Sequence, residues 1–332
     1  MTIVKVKKMR GILFTAMLGL SSMILAGCSQ GAAQNQVIIY TNADDEAVDA
    51  IKNALDHNGF EDQYILQSFG TSELGGKLLA EGNNIEADLV TMSSFYIESA
   101  QEEKNMFLDL GFETGALEEY SSYYTPITAL EGAIIYNTEA LKESNLPVPS
   151  SLADLADPIY SGNLSVTDIQ GSSTGWLLIQ ALISEYGETE AQNLLKSIYA
   201  NAGAHLESSG SGPIKKVRTG EVALGFGLRH QAVADQVDGL PIDYIDPKEG
   251  NFILHEGVSV VNKGDQTNAL AMEMAECIVR ESRSELIKIY PVPFYEGESV
   301  DGMNASNQTE VFSEKLTVDL LEKHQALSEA AK

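Results

Sequence analysis

The apolar and polar positions of the chain follow a repeated pattern of a strand and then a helix. Residues 37–40 are a short apolar run, a polar turn follows, and apolar residues then recur at helical spacing over residues 48–55. Similar units begin at residues 64–69 and at residues 88–90. Strands that alternate with helices in this way predict a parallel sheet that carries helices on both faces.

A second set of such units follows the proline-punctuated stretch at residues 146–149. Short apolar runs at residues 164–166 and 222–226 indicate strands, and residues 176–183 indicate an apolar helix. The two sets together predict an α/β protein with two lobes.

Hydroxyl, amide and glycine residues occupy the turns between strands and helices in both sets. Backbone N–H groups and the positive end of a helix dipole meet at such turns, so several turns that face one cleft can hold an anion. Helix capping uses the same residue types and is the alternative explanation. The candidates for an oxyanion site are Thr41, Asn42, Ser72, Ser93, Ser94, Ser172, Ser173, Thr174, Ser209, Gly210, Ser211 and Arg229. An amino group on the ligand would need a carboxylate, for which Asp44 and Asp168 are the alternatives.

The first residues of the chain predict a secretory signal. Four basic residues precede an uncharged apolar run, residues 11–27, which is shorter than a membrane span. The run ends in Leu-Ala-Gly-Cys at residues 25–28, which resembles the bacterial lipobox, where cleavage precedes a cysteine that carries lipid. We expect residues 1–27 to be a signal peptide, Cys28 to be lipidated, and residues 28–36 to be a flexible tether outside the cytoplasmic membrane. A signal anchor in which this cysteine is incidental is the alternative.

The composition excludes several classes of protein. The chain has 332 residues with 21 Lys and Arg against 48 Asp and Glu, so its net charge is −27. This charge repels nucleic-acid phosphates, and we expect no nucleic-acid partner. Two cysteines are too few for a disulfide scaffold. Cys277 lies on the apolar face of a predicted helix, where a buried core thiol is expected.

Motifs of enzyme and metal chemistry do not fit the chain. Residues 70–77 resemble a phosphate-binding P-loop, but the glycine spacing is one residue out and Leu78 replaces the Ser or Thr that binds magnesium. The chain has no G-x-G-x-x-G or H-E-x-x-H motif, and its five histidines lack metal-ligand spacing. The G-x-S-x-G pattern occurs at residues 27–31 and 171–175, but neither occurrence is expected to place a serine nucleophile. We therefore expect no enzymatic activity, no cofactor and no bound metal.

Five segments carry a resemblance to the solute-binding proteins of bacterial ABC importers. The class that they resemble is two-lobed and includes receptors for ferric iron and for 2-aminoethylphosphonate. The segments are VIIYTNADDEAVDAIKNAL (37–55), ELGGKLLAEGNNIEADLV (73–90), ITALEGAIIYNTEAL (127–141), SSGSGPIKKVRTGEVALGFG (208–227) and YIDPKEGNFILHEGVSVVNKG (244–264).

The resemblance implies a type 2 periplasmic-binding-protein-like fold. Each lobe would be a mostly parallel sheet flanked by helices, and two hinge crossovers would join the lobes. Lobe 1 would comprise residues 37–126 and 248–332, and lobe 2 would comprise residues 127–247.

The resemblance also implies the function of an importer's receptor. The protein would capture a small oxyanion between its lobes, either a phosphonate such as 2-aminoethylphosphonate or a phosphate ester. It would act as a monomer anchored to the cell membrane by lipid, and it would deliver the ligand to an ABC permease. Ferric iron is the alternative ligand, and an extracellular enzyme that acts on a phosphorylated substrate is the alternative of another class.

One position separates the two ligand classes. The iron receptors of this class carry a tyrosine pair after the strand that residues 221–226 would form, whereas this chain has Leu228, Arg229 and His230 there. Neutral His230 can bind a metal, but Arg229 beside it opposes a cation and favours an oxyanion. We expect Arg229 to be the main charged contact to the ligand, and we expect the tyrosines at 123–124 to pack near the hinge.

The lipobox predicts that Cys28→Ala will move the protein from the membrane fraction to the soluble fraction. Two acyl chains contribute about 0.8 kcal/mol for each buried methylene, which is enough for stable anchoring. Fractionation of cells that express each variant measures the effect, with Cys277→Ala as the matched control that should stay with the membrane. An unchanged distribution of Cys28→Ala would contradict the prediction.

Overall fold

The structure is a computed structural model and describes residues 36–300, 305–306 and 308–332. The predicted signal peptide, the lipidation site at Cys28 and all of the predicted tether except Gln36 lie outside the described residues. No helix within the described ranges is long and apolar enough to cross a membrane.

The amino-terminal part of the fold repeats a strand and a helix three times. Its elements are β1 (Val37–Thr41), α1 (Asp45–Leu55), β2 (Tyr64–Ser68), α2 (Thr71–Glu81), β3 (Leu89–Ser93) and α3 (Ser94–Lys104). Both neighbours of β1, which are β2 and β3, pair with it in parallel. The alternation predicted from the apolar periodicity of this region is therefore confirmed, and β1, β2 and β3 are called the first strand group.

The middle of the chain forms a second parallel group between two long strands. Its elements are β4 (Thr125–Asn137), α4 (Thr138–Glu143), β5 (Leu164–Thr167), α5 (Thr174–Ala202), β6 (Leu206–Glu207), α6 (Gly212–Arg218), β7 (Leu224–Leu228), α7 (Arg229–Val237), β8 (Ile242–Ile245) and β9 (Asn251–Val260). Strands β6 and β7 pair in parallel with β5, and these three strands are called the second strand group. The helix predicted at residues 176–183 extends over 29 residues and kinks at Gly187.

The carboxyl-terminal part of the chain packs against β9 and against helices α1, α3 and α5. Its elements are α8 (Ala269–Cys277), α9 (Arg283–Ile289), β10 (Thr309–Glu310) and α10 (Val318–Glu329). Cys277 is 9% exposed at the end of α8, which confirms the expectation of a buried thiol.

Two antiparallel strands, β4 and β9, join the two strand groups. The strand order is β2-β1-β3-β9-β4-β7-β5-β6, with β8 paired to β4 and β10 paired to β9. Residues 125–131 of β4 pair with β9, and residues 132–136 pair with β7. This arrangement confirms the predicted α/β fold with two lobes and two crossing strands. The lobe boundaries at 126/127 and 247/248 remain a prediction.

A buried aromatic cluster holds α3, α5 and α10 together. Trp176 of α5 is fully buried, and its ring meets the edge of Phe95 of α3 at a centroid distance of 5.0 Å. Its indole Nε1 donates a hydrogen bond of 2.8 Å to Nδ1 of His324 on α10. Because Trp176 lies in the first turn of α5, this cluster also fixes the position of the loop before that helix.

Replacement of Trp176 by Phe is expected to lower the free energy of unfolding by roughly 2–4 kcal/mol. The change leaves the buried Nδ1 of His324 without its donor and removes part of a fully packed side chain. Urea denaturation measures the loss. The control is Tyr64→Phe, which removes an exposed hydrogen bond to Asp56 and should change stability by about 0.5 kcal/mol or less. Equal losses for both variants would refute a central role for the cluster.

Candidate functional site

The carboxyl ends of strands from both groups surround one cavity of about 310 Å³. Ligands of open α/β sheets bind at this edge, because the loops after the parallel strands converge there. The first strand group contributes the residues that follow β1 and β2, the second group contributes the loops after β5 and β6, and β9 contributes Glu256.

The structure brings seven of the twelve predicted oxyanion residues to the cavity. These residues are Asn42, Ser172, Ser173, Thr174, Ser209, Gly210 and Ser211. Of the two alternative amine partners, Asp44 lines the cavity. Asp168 does not, because its carboxylate pairs with the ammonium group of Lys332 at 2.7 Å.

Close contact between the loops after β5 and β6 shapes one wall of the cavity, which is rich in hydroxyl groups and is called the hydroxyl wall. A Cβ atom on Gly210 would lie 2.3 Å from Oγ1 of Thr174 and 3.3 Å from Oγ of Ser172, so glycine fits here without displacing these hydroxyl groups. A Cβ atom on Gly171 would likewise lie 2.4 Å from the carbonyl oxygen of Ser208. The glycines therefore let the loops after β5 and β6 pack against each other and present their hydroxyl groups side by side.

The hydroxyl wall also contains the positive features of the cavity. Helix α5 begins at Thr174, and the side chain of its N-cap residue, Ser173, makes no capping hydrogen bond. The helix dipole therefore adds partial positive charge next to hydroxyl groups that can donate to a ligand. Lys215 of α6 is the one basic side chain among the described residues that line the cavity.

The remaining wall is acidic and includes Glu256, which was not predicted from the sequence. Asp44, Asp45 and Glu256 line the cavity. The carboxylate of Glu256 accepts hydrogen bonds from Nδ2 of Asn42 at 2.9 Å and from Oγ1 of Thr128 at 3.1 Å. Burial, and next the charge of Asp44, raise the pKa of Glu256 to about 7. The available signal was the single acidic residue within strand β9, most of whose residues are apolar.

The surroundings of Asp44 also raise the pKa of its carboxyl group. Burial raises the pKa of Asp44 to about 6, and the charges of Glu46 and Asp45 act in the same direction. The ring of His230 lies near it, with Nε2 3.9 Å from Oδ2 of Asp44. Burial lowers the pKa of His230 to about 3, so this ring is neutral and adds no positive charge to the cavity.

Four of the predicted hydroxyl residues do not line the cavity. Thr41 and Ser93 are buried at the ends of β1 and β3, and Oγ1 of Thr41 accepts hydrogen bonds from Ala43 N and Thr91 Oγ1. Ser72 and Ser94 lie in the first turns of α2 and α3. The cavity is lined instead by Asn42, which directly follows Thr41, and by Thr71, which directly precedes Ser72. No described residue of β3 or α3 lines it.

Arg229 has a different environment from the one expected of a ligand contact. It does not line the cavity, and its Nε donates a hydrogen bond of 2.8 Å to Oδ1 of Asp246. Its Nη2 donates to the hydroxyl group of Tyr244 at 3.2 Å, and its guanidinium group lies over that ring. Strand β8, which the sequence analysis did not identify, brings both partners to the start of α7. The structure therefore does not support Arg229 as the main charged contact.

The features expected of a ferric-iron site are missing from the described part of this cavity. No tyrosine is among its described lining residues. Tyr124 instead packs against the ring of Tyr123 and donates a hydrogen bond to Glu98, in agreement with the expected packing near the hinge. In the described ranges, no group of three or more His, Cys, Asp or Glu side chains is arranged to hold a metal ion.

Arg229→Ala is expected to lower the free energy of unfolding by roughly 3 kcal/mol, because it leaves the carboxylate of Asp246 without its cationic partner. Affinity of the folded protein for 2-aminoethylphosphonate should stay within about twofold. Thermal denaturation and calorimetric titration measure the two quantities. The control is Arg280→Ala, which breaks an exposed ion pair with Glu276 and should cost about 0–1 kcal/mol. A large loss of affinity at unchanged stability would restore Arg229 to the site.

Comparisons with known proteins agree with this fold. The Fe(3+)-binding periplasmic protein of Serratia marcescens is 28% identical over 226 residues, which span 65% of this chain and 63% of that protein. The periplasmic binding protein P5PA superposes with a TM-score of 0.72 at 17% identity, over 89% of this chain and 98% of its own. AfuA from Actinobacillus pleuropneumoniae, solved with fructose-6-phosphate bound, superposes with a TM-score of 0.67 at 19% identity, over 90% and 97% of the two chains.

A family model covers the centre of the chain. Residues 91–294 match the model of the bacterial extracellular solute-binding proteins, and this range contains β4, β9, the whole second strand group and the hydroxyl wall. The chain therefore belongs to the bacterial extracellular solute-binding protein family.

Proposed function

We propose that this protein is the receptor of a bacterial ABC importer and that it binds a small molecule with a phosphonate or phosphate ester group. The observation that carries this proposal is the hydroxyl wall formed by the loops after β5 and β6. Its hydroxyl groups, the start of α5 and Lys215 supply hydrogen bonds and positive charge to an oxyanion.

The size and position of the cavity support a small ligand held between the lobes. A volume of about 310 Å³ is at the lower end of the range for small-molecule sites. Its lining residues come from both strand groups, which are joined by β4 and β9. A ligand that contacts both walls favours the closed arrangement, and closure is the signal that a permease recognises.

The relatives support a phosphate ester and iron to different degrees. AfuA, which shares the fold, was solved with a sugar phosphate bound, whereas the relative from Serratia marcescens binds Fe(3+). Iron is the second candidate because the cavity contains carboxylates. It is disfavoured because Arg229 and His230 occupy the positions that follow β7, and no tyrosine is among the described residues that line the cavity.

An enzymatic role has less support than ligand delivery. Catalysis on a phosphorylated substrate requires an activated nucleophile or a metal cluster next to the substrate. His230, a potential base, is buried behind the cavity with a strongly lowered pKa. Membership of a solute-binding family favours capture and delivery.

The proposal predicts that Gly210→Ala will weaken binding of a phosphoryl ligand by about tenfold or more. The added Cβ must displace the hydroxyl group of Thr174, and a lost charge-assisted hydrogen bond costs roughly 1.5–3 kcal/mol. Calorimetric titration with 2-aminoethylphosphonate and with fructose 6-phosphate measures the affinity.

The matched control is Gly76→Ala, where the new Cβ meets nothing within 4 Å on the exposed side of α2 and binding should not change. Fe(3+) is titrated in parallel as the competing ligand class. Tight binding of Fe(3+) without binding of any phosphonate or phosphate ester would overturn the proposal.

A further inference from the structure

The two walls of the cavity differ in charge, so the two ends of a ligand that contacts both walls should also differ in charge. The hydroxyl wall suits an oxyanion, but Asp44, Asp45 and Glu256 face the same space with only Lys215 to oppose them among the described lining residues. An unsubstituted phosphonate or phosphate therefore meets repulsion at the acidic wall. A ligand with a cationic group at its other end meets attraction there.

We propose that Asp44 and Glu256 form a subsite for a cationic group of the ligand, such as a primary amine. This inference rests on the proposed function, because it assigns the second end of a ligand whose oxyanion occupies the hydroxyl wall. Glu256 is then the residue that selects amino-substituted ligands over unsubstituted ones.

The hydrogen bonds of Glu256 point to a missing cationic partner. Its carboxylate is buried and is contacted by two neutral donors, Asn42 and Thr128, and no lysine or arginine in the described part of the chain forms an ion pair with it. A buried carboxylate is costly to ionise unless a cation is placed beside it. The fold nevertheless positions this side chain firmly, because Glu256 pairs with Ser93 of β3 and with Thr128 of β4 across the sheet.

Buried polar atoms without hydrogen-bond partners near Asp44 or Glu256 provide an independent indication. Asn42 lines the cavity and uses its Nδ2 for Thr71 and Glu256, while its Oδ1 is buried without a partner. His230 is 94% buried, given its relative exposure of 6%, and neither ring nitrogen has a partner. An ammonium group has three donors, and Asp44, Glu256 and Oδ1 of Asn42 supply three acceptors.

The two carboxylates also predict a link between binding and protons. Burial raises the pKa of Asp44 to about 6 and that of Glu256 to about 7, so the empty pair retains a proton in mildly acidic solution. A bound cation favours the ionised form of both groups. Binding of an amine-bearing ligand should therefore release a proton, and its affinity should rise between about pH 5.5 and 7.5.

The other charged and titratable groups around the pair come from three sides. Asp45 and Glu46 of α1 raise the pKa of Asp44 and Lys215 of α6 lowers it. His230 of α7 and Tyr290, which follows α9, stay neutral, because burial lowers the pKa of His230 to about 3 and raises that of Tyr290. Neither group titrates in the pH range of the experiment.

The experiment compares two pairs of probes that differ only in the amine. They are 2-aminoethylphosphonate with ethylphosphonate, and phosphoethanolamine with ethyl phosphate. Calorimetric titration of the unmodified protein at pH 7 should show a preference of about ten- to a hundredfold for the amine in at least one pair. Glu256→Gln should abolish that preference while leaving the affinity for the amine-free probe equal or higher.

The control variant is Glu131→Gln, which neutralises another buried glutamate, on β4 and outside the cavity, and should keep the preference. Titration at pH 6.5 in two buffers of different ionisation enthalpy measures proton release, which Glu256→Gln should reduce relative to the unmodified protein with the same probe. Asp44→Asn provides a second variant should Glu256→Gln fold poorly, and it should also reduce the preference.

Two failures are distinguishable. Equal affinity of the unmodified protein for both members of a binding pair would overturn the cationic subsite and leave the oxyanion site intact. No binding of any of the four probes or of fructose 6-phosphate would instead refute the proposed function.

Discussion

The antiparallel pairing of β4 with β9 is the interaction on which the rest of the structure depends. These strands lie between the two parallel strand groups in the sheet. Their register therefore sets how the two walls of the cavity are placed relative to each other. The pairing places Glu256 beside Thr128 and, through β3, beside Ser93. A shift of β9 by one residue would turn the carboxylate of Glu256 to the opposite face of the sheet, which would remove one of the acidic groups of the cavity.

The two walls of the cavity differ in the free-energy cost of leaving them without a ligand. Hydroxyl groups and a helix start are stable without a ligand, because water and neighbouring hydroxyl groups satisfy them. Buried carboxylates are not, and the raised pKa values of Asp44 and Glu256 express that cost. A cationic group of a ligand placed beside these carboxylates would lower that cost. The acidic wall is thus more informative about the ligand than the hydroxyl wall.

Arg229 illustrates how a local pattern misleads when a nearby strand is missed. Its position directly after β7 and the chemistry of its guanidinium group both suit an anion contact. Strand β8 pairs with β4 and carries the chain to Tyr244 and Asp246, which surround the guanidinium group instead. A buried arginine takes the carboxylate that lies within reach, and here the fold supplies one from within the protein.

The sequence by itself determined the repeated strand–helix units of both strand groups, the two-lobed α/β class and the glycine- and serine-rich loops of the hydroxyl wall. These features depend on local periodicity and on turn chemistry, which are legible in short windows. Only the tertiary structure decided that Glu256 lines the cavity and that Asp44 lines it rather than Asp168. It also placed Arg229 outside the lining of the cavity. Asn42 and Glu256 are 214 residues apart in the chain, yet they share a hydrogen bond. Strand register creates such contacts, and no local window of the sequence records it.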